Sequence, residues 1–143
     1  MTTNTQKKTL TVVAPVYNEE EVIWDFYHEL KSTLSALSEY RSTMLFVVGR
    51  GTDRTFPILK EIADADPSLR VLYLSSRFGH QMQLLAGIDH ADADVVIMMD
   101  SDLQHPPAVI PRLLEEYEKG NDVVYTIREK TADQGFVRKW CSD

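Results

Sequence analysis

Apolar residues fall along this chain in two alternating patterns, short unbroken runs and longer stripes with helical spacing. Leu10 to Val16 (LTVVAPV) is a run of the kind a sheet buries on both faces. Between Glu20 and Leu37 the apolar positions Val22, Phe26, Leu30, Leu34 and Leu37, with Ile23 and Tyr27 beside them, form one helical stripe. The alternation then repeats. Met44 to Val48 predicts a strand, Thr55 to Ala65 a helix, Leu69 to Leu74 a strand and Gln81 to Ala91 a helix. Val95 to Met99 predicts a fourth, interior strand. Ala108 to Lys119 follows as a helix, with Pro106 and Pro107 near its first turn, where a missing N–H is harmless. Gly120 closes that helix, and Asp122 to Ile127 (DVVYTI) gives a fifth strand. Strands separated by helices imply right-handed crossovers, hence an α/β fold with a mainly parallel sheet and helices on both faces.

The bulk numbers narrow the class. With 143 residues the chain has the size of one compact domain. A net charge of −7 argues against a nucleic-acid partner, which selects a basic face. It leaves small anionic ligands open, because a local cation or a few arginines outweigh the global sign. The single cysteine, Cys141, excludes an internal disulfide and fits a reducing compartment. No stretch approaches the roughly 20 apolar residues that span a bilayer, so the chain as given is expected to be soluble and cytoplasmic. The polar tail from Glu129, in which Phe136, Val137 and Trp140 stand isolated, does not read as the end of a finished domain. A C-terminally truncated single domain over residues 1–143 is the expectation.

The residues able to carry chemistry cluster at two strand ends. In an open parallel sheet, ligands gather outside the carboxyl ends of strands where the strand order reverses. If the first and fourth strands meet there, the loop Pro15-Val16-Tyr17-Asn18-Glu19 faces the loop Asp100-Ser101-Asp102-Leu103-Gln104. Asp100 and Asp102 converge if the chain turns at Ser101, and hard oxygen ligands suit Mg²⁺ or Mn²⁺. Gln104 adds a neutral oxygen. The same residues fit an ordinary turn with Asp102 as its cap. Tyr17 offers a ring to a flat base and Glu19 an acceptor to base or ribose, while Asn18 or Glu19 equally suits a helix cap. Gly49-Arg50-Gly51-Thr52-Asp53 matches neither the P-loop nor the dinucleotide fingerprint and reads as a plain turn. His80 and His105 occupy loop-like positions without zinc-ligand spacing. Arg128, ending the fifth run, fits a phosphate contact or a solvated surface charge.

Taken in order, PVYNEEE, GTDRT, SRFGHQMQLLAG, MDSDLQHPP and DVVYTIR resemble the family 2 glycosyltransferases, in the branch of dolichyl-phosphate mannose synthases and bacterial polyprenyl-phosphate glucosyltransferases. The resemblance runs from about Leu10 to Arg128. It implies a GT-A nucleotide-sugar fold and an inverting transfer from a UDP- or GDP-sugar to a polyprenyl phosphate, at the inner face of a membrane in cell-envelope glycan synthesis. It further implies that Pro15, Tyr17, Glu19 and Asp100 contact the nucleotide, that Asp100, Asp102 and Gln104 hold the Mg²⁺ or Mn²⁺, and that Asp102 and Arg128 serve the chemistry, Arg128 beside the donor or acceptor phosphates. One departure stands out. Where the family carries D-D-G-S or a close variant, this chain has Val48-Gly49-Arg50-Gly51, which removes two carboxylates and sets an arginine in the implied nucleotide pocket. The rival expectation is therefore a catalytically impaired remnant that folds and binds nucleotide weakly.

Overall fold

The computed structural model describes residues 6–127. Its elements are β1 (Lys8–Val16), α1 (Ile23–Ser35), β2 (Tyr40–Val48), α2 (Thr55–Ala65), β3 (Leu69–Tyr73), α3 (His80–His90), β4 (Val95–Met98), a 3-10 turn (Pro107–Val109) and α4 (Ile110–Glu118). Packing divides the chain into two compact units, one ending at Pro111 and one beginning at Arg112. All four strands belong to the first.

The strands pair in parallel in the order β3-β2-β1-β4. The chain thus steps outward from β1 to β3 and then returns across the sheet to set β4 on the other side of β1. Side-chain alternation shows what covers each face. Phe46 of β2 meets Phe26 of α1 with ring centroids 5.5 Å apart, and Tyr73, which pairs with Val48, stacks on Phe56 of α2 at 4.0 Å. α1 and α2 therefore share one face. On the opposite face Val13, Leu45 and Val47 form a buried cluster under α3, which lies so close that a Cβ on Gly87 would be 2.3 Å from Val13 Cγ1. Right-handed crossovers produce this division, because the return from β3 to β4 reverses direction and throws its helix to the other side. β1, central and covered on both faces, is buried without a break from Leu10 to Val16.

Two expectations need correction. β4 was expected as an interior strand, yet among the described residues it is an edge, and Val96 and Met98 are 36% and 56% exposed. α3 packs on β1 and β2 and leaves that face of β4 uncovered. The fifth strand does not form within Asp122 to Ile127. Val123, Tyr125 and Ile127 are each at least three-quarters exposed. An alternating run becomes a strand only when a sheet edge takes its N–H and C=O groups, and no strand of the described residues pairs with it. In the smaller unit, α4 does stop as expected at Gly120, whose φ of 97° suits a residue without Cβ. Its N–H donates to Tyr117 O at 2.9 Å. No helix of the described residues is long and apolar enough to cross a membrane.

Candidate active site at the β1–β4 switch point

The reversal of strand order between β1 and β4 brings two loops together at the carboxyl end of the sheet, and a cleft of about 320 Å³ opens there. Pro15, Tyr17 and Glu19 line it from the β1 side, Asp100, Ser101 and Asp102 from the β4 side, and Arg77, Gly79, His80 and Gln83 from the start of α3. Five of the residues named from sequence, Pro15, Tyr17, Glu19, Asp100 and Asp102, thus share one cavity of ligand size.

Ser101 is the hinge of the acidic loop. It is buried, and its Oγ donates to Pro15 O at 3.2 Å, which ties the β4 loop to the end of β1 and leaves the flanking aspartates facing the cleft. Asp102 Oδ1 accepts the Gln104 N–H at 3.0 Å, the turn bond that the plain reading expected. Leu103 follows with a φ of 62°, a left-handed residue that completes the tight bend. Gln104 is exposed and does not line the cleft. His105 is half-buried and also outside it. Arg128 lies outside the described residues.

Asp100 has a partner that the sequence did not reveal. His80 Nε2 lies 2.7 Å from Asp100 Oδ1, with the hydrogen on Nε2 because a carboxylate only accepts. Arg77 adds a cation and sits 4.4 Å above the Tyr17 ring, a cation–π distance. Both come from the SRFGHQ stretch, where the loop into α3 crosses the cleft.

The β1 loop is braced by the loop after β2. The Thr52 N–H donates to Asn18 Oδ1 (2.9 Å), the Glu19 N–H to Thr55 Oγ1 (2.8 Å), the Glu20 N–H to Asp53 Oδ2 (3.1 Å) and the Arg54 N–H to Glu20 Oε2 (2.9 Å). Asn18 adopts a φ of 48° to reach across. Neither Asn18 nor Glu19 caps α1, which starts at Ile23 without a side-chain cap. Asp53 is structural as well. Burial pushes its carboxyl up, but hydrogen bonds from Thr55 and from the Glu20 N–H outweigh that and hold it below the usual range. Glu19 moves the other way. Burial first, and then the negative charges of Asp102 and Asp53, raise its carboxyl. The cleft thus gathers three acidic residues, Glu19 from one side and Asp100 and Asp102 from the other.

The departure from D-D-G-S also resolves into separate positions. Val48 is buried at 2% exposure. Arg50 is exposed and, against expectation, does not line the cleft. Gly49 alone touches cleft residues, since a Cβ there would meet Gln83 Nε2 at 3.4 Å and Tyr17 Cδ2 at 3.5 Å. Gly51 backs onto Asn18 Oδ1, 2.3 Å from where its Cβ would stand.

A cation fits this chemistry on stated terms. No group of three His, Cys, Asp or Glu side chains able to hold a metal exists among the described residues. Asp100 and Asp102 supply two carboxylates on one wall, and Mg²⁺ or Mn²⁺ is commonly held by one or two carboxylates together with substrate phosphates. The donor set suits an ion that arrives with a diphosphate.

Known proteins resemble the chain in sequence and in fold. The chain is 35% identical to a bactoprenol glucosyl transferase of Shigella phage SfX, over 91% of this chain and 42% of that protein. It is 38% identical to an undecaprenyl-phosphate 4-deoxy-4-formamido-L-arabinose transferase of Edwardsiella ictaluri, over 91% of this chain and 40% of the relative. It therefore spans about 40% of the length of the curated relatives it matches. In fold it resembles a mannosyltransferase of Pyrobaculum calidifontis solved with GDP-mannose and Mn²⁺, with a TM-score of 0.59 and 23% identity over 68% of this chain and 28% of that one. The profile of the family described as Glycosyl transferase family 2 matches residues 11–143, and the chain belongs to that family.

Proposed function

We propose that this chain forms the donor-binding part of a metal-dependent glycosyltransferase that moves a sugar from a UDP- or GDP-sugar to a polyprenyl phosphate. The observation that carries the reading is the pair Asp100 and Asp102, facing Tyr17 and Glu19 across a cleft at the β1–β4 switch point. Asp100 and Asp102 would hold Mg²⁺ or Mn²⁺, which neutralises charge on a departing nucleotide diphosphate. Pro15, Tyr17 and Glu19 would contact the nucleoside. The acceptor phosphate is already an anion. One of its oxygens bonds to the anomeric carbon from the side opposite the leaving group while the bond to the diphosphate breaks, which inverts the centre and needs no strong base. The relatives named for bactoprenol and undecaprenyl phosphate support the acceptor class; a site of action at the inner membrane face in envelope glycan synthesis rests on the family resemblance. The parts assigned to Arg128 and to the Gln104 side chain rest on the family resemblance alone.

Thermal unfolding tests the reading. Mn²⁺ or Mg²⁺ together with UDP or GDP should raise the melting temperature, and neither component alone should do so strongly. A ligand at about 100 times its dissociation constant adds about 2.7 kcal/mol. Asp102→Asn should abolish the shift without unfolding the protein, because asparagine keeps the Oδ1 acceptor for the Gln104 N–H and loses only the charge. No shift at millimolar metal and nucleotide would sink the metal-site reading.

A further inference from the structure

Gln83 is a polar side chain buried at 4% exposure in the floor of the cleft. Its Nε2 donates to two main-chain carbonyls, Val16 O and Val47 O, each at 2.8 Å. These are the last turns of β1 and β2, so the amide clamps the carboxyl ends of neighbouring strands. Both amide hydrogens are then committed, and the identity of the two acceptors fixes which end of the amide is nitrogen. Only Oε1 retains capacity, as an acceptor. Gly49 has no side chain to cover this amide. A Cβ there would lie 3.4 Å from Gln83 Nε2, 3.5 Å from Gln83 Cδ and 3.5 Å from Tyr17 Cδ2, so the amide and the Tyr17 ring both lie close beside the buried Gly49.

We infer that Gln83 reads the nucleobase by accepting its ring N–H at Oε1, and that the cleft thereby selects uracil or guanine over cytosine or adenine. The inference rests on the reading of the cleft as a nucleotide-diphosphate site. Uracil and guanine carry a hydrogen on the ring nitrogen of their pairing edge, whereas cytosine and adenine carry a lone pair there. Facing Oε1, a lone pair leaves two acceptors opposed in a partly dry site. The clamp makes this costly to avoid, because turning the amide over would break both bonds to the strand carbonyls. Rigid, buried and polar on one side only, Gln83 is built for discrimination more than for affinity.

The test compares UDP, CDP, N3-methyl-UDP and pyrophosphate, each with Mn²⁺, by calorimetry on the full chain and on Gln83→Leu. For the unaltered chain, CDP and N3-methyl-UDP should each bind about tenfold more weakly than UDP, the effect of losing one hydrogen bond and stranding a buried acceptor. In Gln83→Leu the three nucleotides should come within about threefold of one another, and pyrophosphate should bind both proteins alike. Equal binding of UDP and N3-methyl-UDP by the unaltered chain would overturn the inference while leaving the diphosphate site standing. The methylated nucleotide breaks the contact without altering the protein, so this arm holds even if Gln83→Leu does not fold. If pyrophosphate with Mn²⁺ does not bind at all, the diphosphate reading falls and the inference goes with it.

Discussion

Gly87→Ala tests how tightly the helix that carries His80 and Gln83 is set against the sheet. Gly87 lies mid-helix in α3 and is buried. A methyl there would stand 2.3 Å from Val13 Cγ1 and 2.9 Å from Val47 Cγ2, whereas ordinary contact begins at 3.4 Å, so about 1 Å must be found. Neither valine can yield cheaply. Both are fully buried in paired strands, and β-branched side chains have one favoured rotamer for a given backbone. Alanine by itself favours a helix over glycine by about 1 kcal/mol. Overpacking a filled core costs about 1–3 kcal/mol, and a near-rigid contact belongs at the upper end. The net expectation is a loss of about 1–2 kcal/mol, which shifts the melting temperature of a chain this long by about 3–8 °C. Urea unfolding followed by circular dichroism reads the loss as a lower midpoint with unchanged slope. Ala in place of the exposed Asp89 on the same helix is the control and should cost nothing, since it keeps the propensity gain without the clash. Equal or greater stability for Gly87→Ala would refute the reasoning. It would mean that α3 has slack over β1 and β2, and that the Gln83 clamp is looser than its 2.8 Å bonds indicate.

Asp66→Asn should cost about 1.5–3 kcal/mol at pH 7, because Asp66 accepts from Tyr27 Oη (2.7 Å), Lys31 Nζ (3.1 Å) and Ser68 N–H (2.9 Å) at 13% side-chain exposure. Burial pushes the Asp66 carboxyl up, but these bonds outweigh it and leave the folded value well below the unfolded one. The stabilisation is therefore complete above the unfolded pKa of about 4 and lost as pH falls below it. The gap in urea midpoint between wild type and variant should narrow progressively as pH falls from about 4 toward the lowered folded value, and a gap that does not narrow would contradict the linkage. The same network pushes the Tyr27 hydroxyl up to about 12, through burial first and then through Asp66. In Asp66→Asn its spectrophotometric titration should move down toward the ordinary tyrosine range. Gly51→Ser should destabilise by about 1 kcal/mol, because its Cβ displaces Asn18 Oδ1 from the Thr52 N–H; a variant as stable as the parent would show that the two loops re-pair freely.

Most of the fold was legible because the information is local. The runs at Leu10, Met44, Leu69 and Val95 became β1 to β4, and the helical stripes between them became α1 to α3 within a few residues of their expected ends. Handedness then sets which face each helix covers, whereas the place of β4 beside β1, which makes the switch point, is seen only in the structure. The fifth run shows the limit. Val123, Tyr125 and Ile127 alternate as a strand should, but strand formation depends on a pairing edge, which is not a property of the run itself. β4 shows it again: its apolar residues are continuous, and whether both faces are covered depends on where α3 lands.

At the site, the residues legible in sequence were those set on strand ends, and those missed come from α3 and the loop that leads into it. Asp100, Asp102, Tyr17 and Glu19 follow β1 and β4 directly, so the topology alone places them together. Gln83 reaches its two carbonyl partners across sequence separations of 67 and 36 residues, and nothing near it in the chain marks it as buried. The loop from Val48 to Gly51 fails in the sequence for a different reason. Read in line, four departures stand side by side and seem to alter one pocket. A strand turns successive side chains to opposite faces, so a step of one residue changes the environment completely. Val48 continues the Phe46 face toward α1 and α2, where a carboxylate would be buried away from the cleft. Gly49 takes the other side, against Tyr17 and Gln83. Arg50 is exposed, and Gly51 is held to its size by Asn18. Of the four departures only the one at Gly49 abuts side chains that line the cleft. What it removes from one loop, Gln83 is placed to supply from the helix opposite.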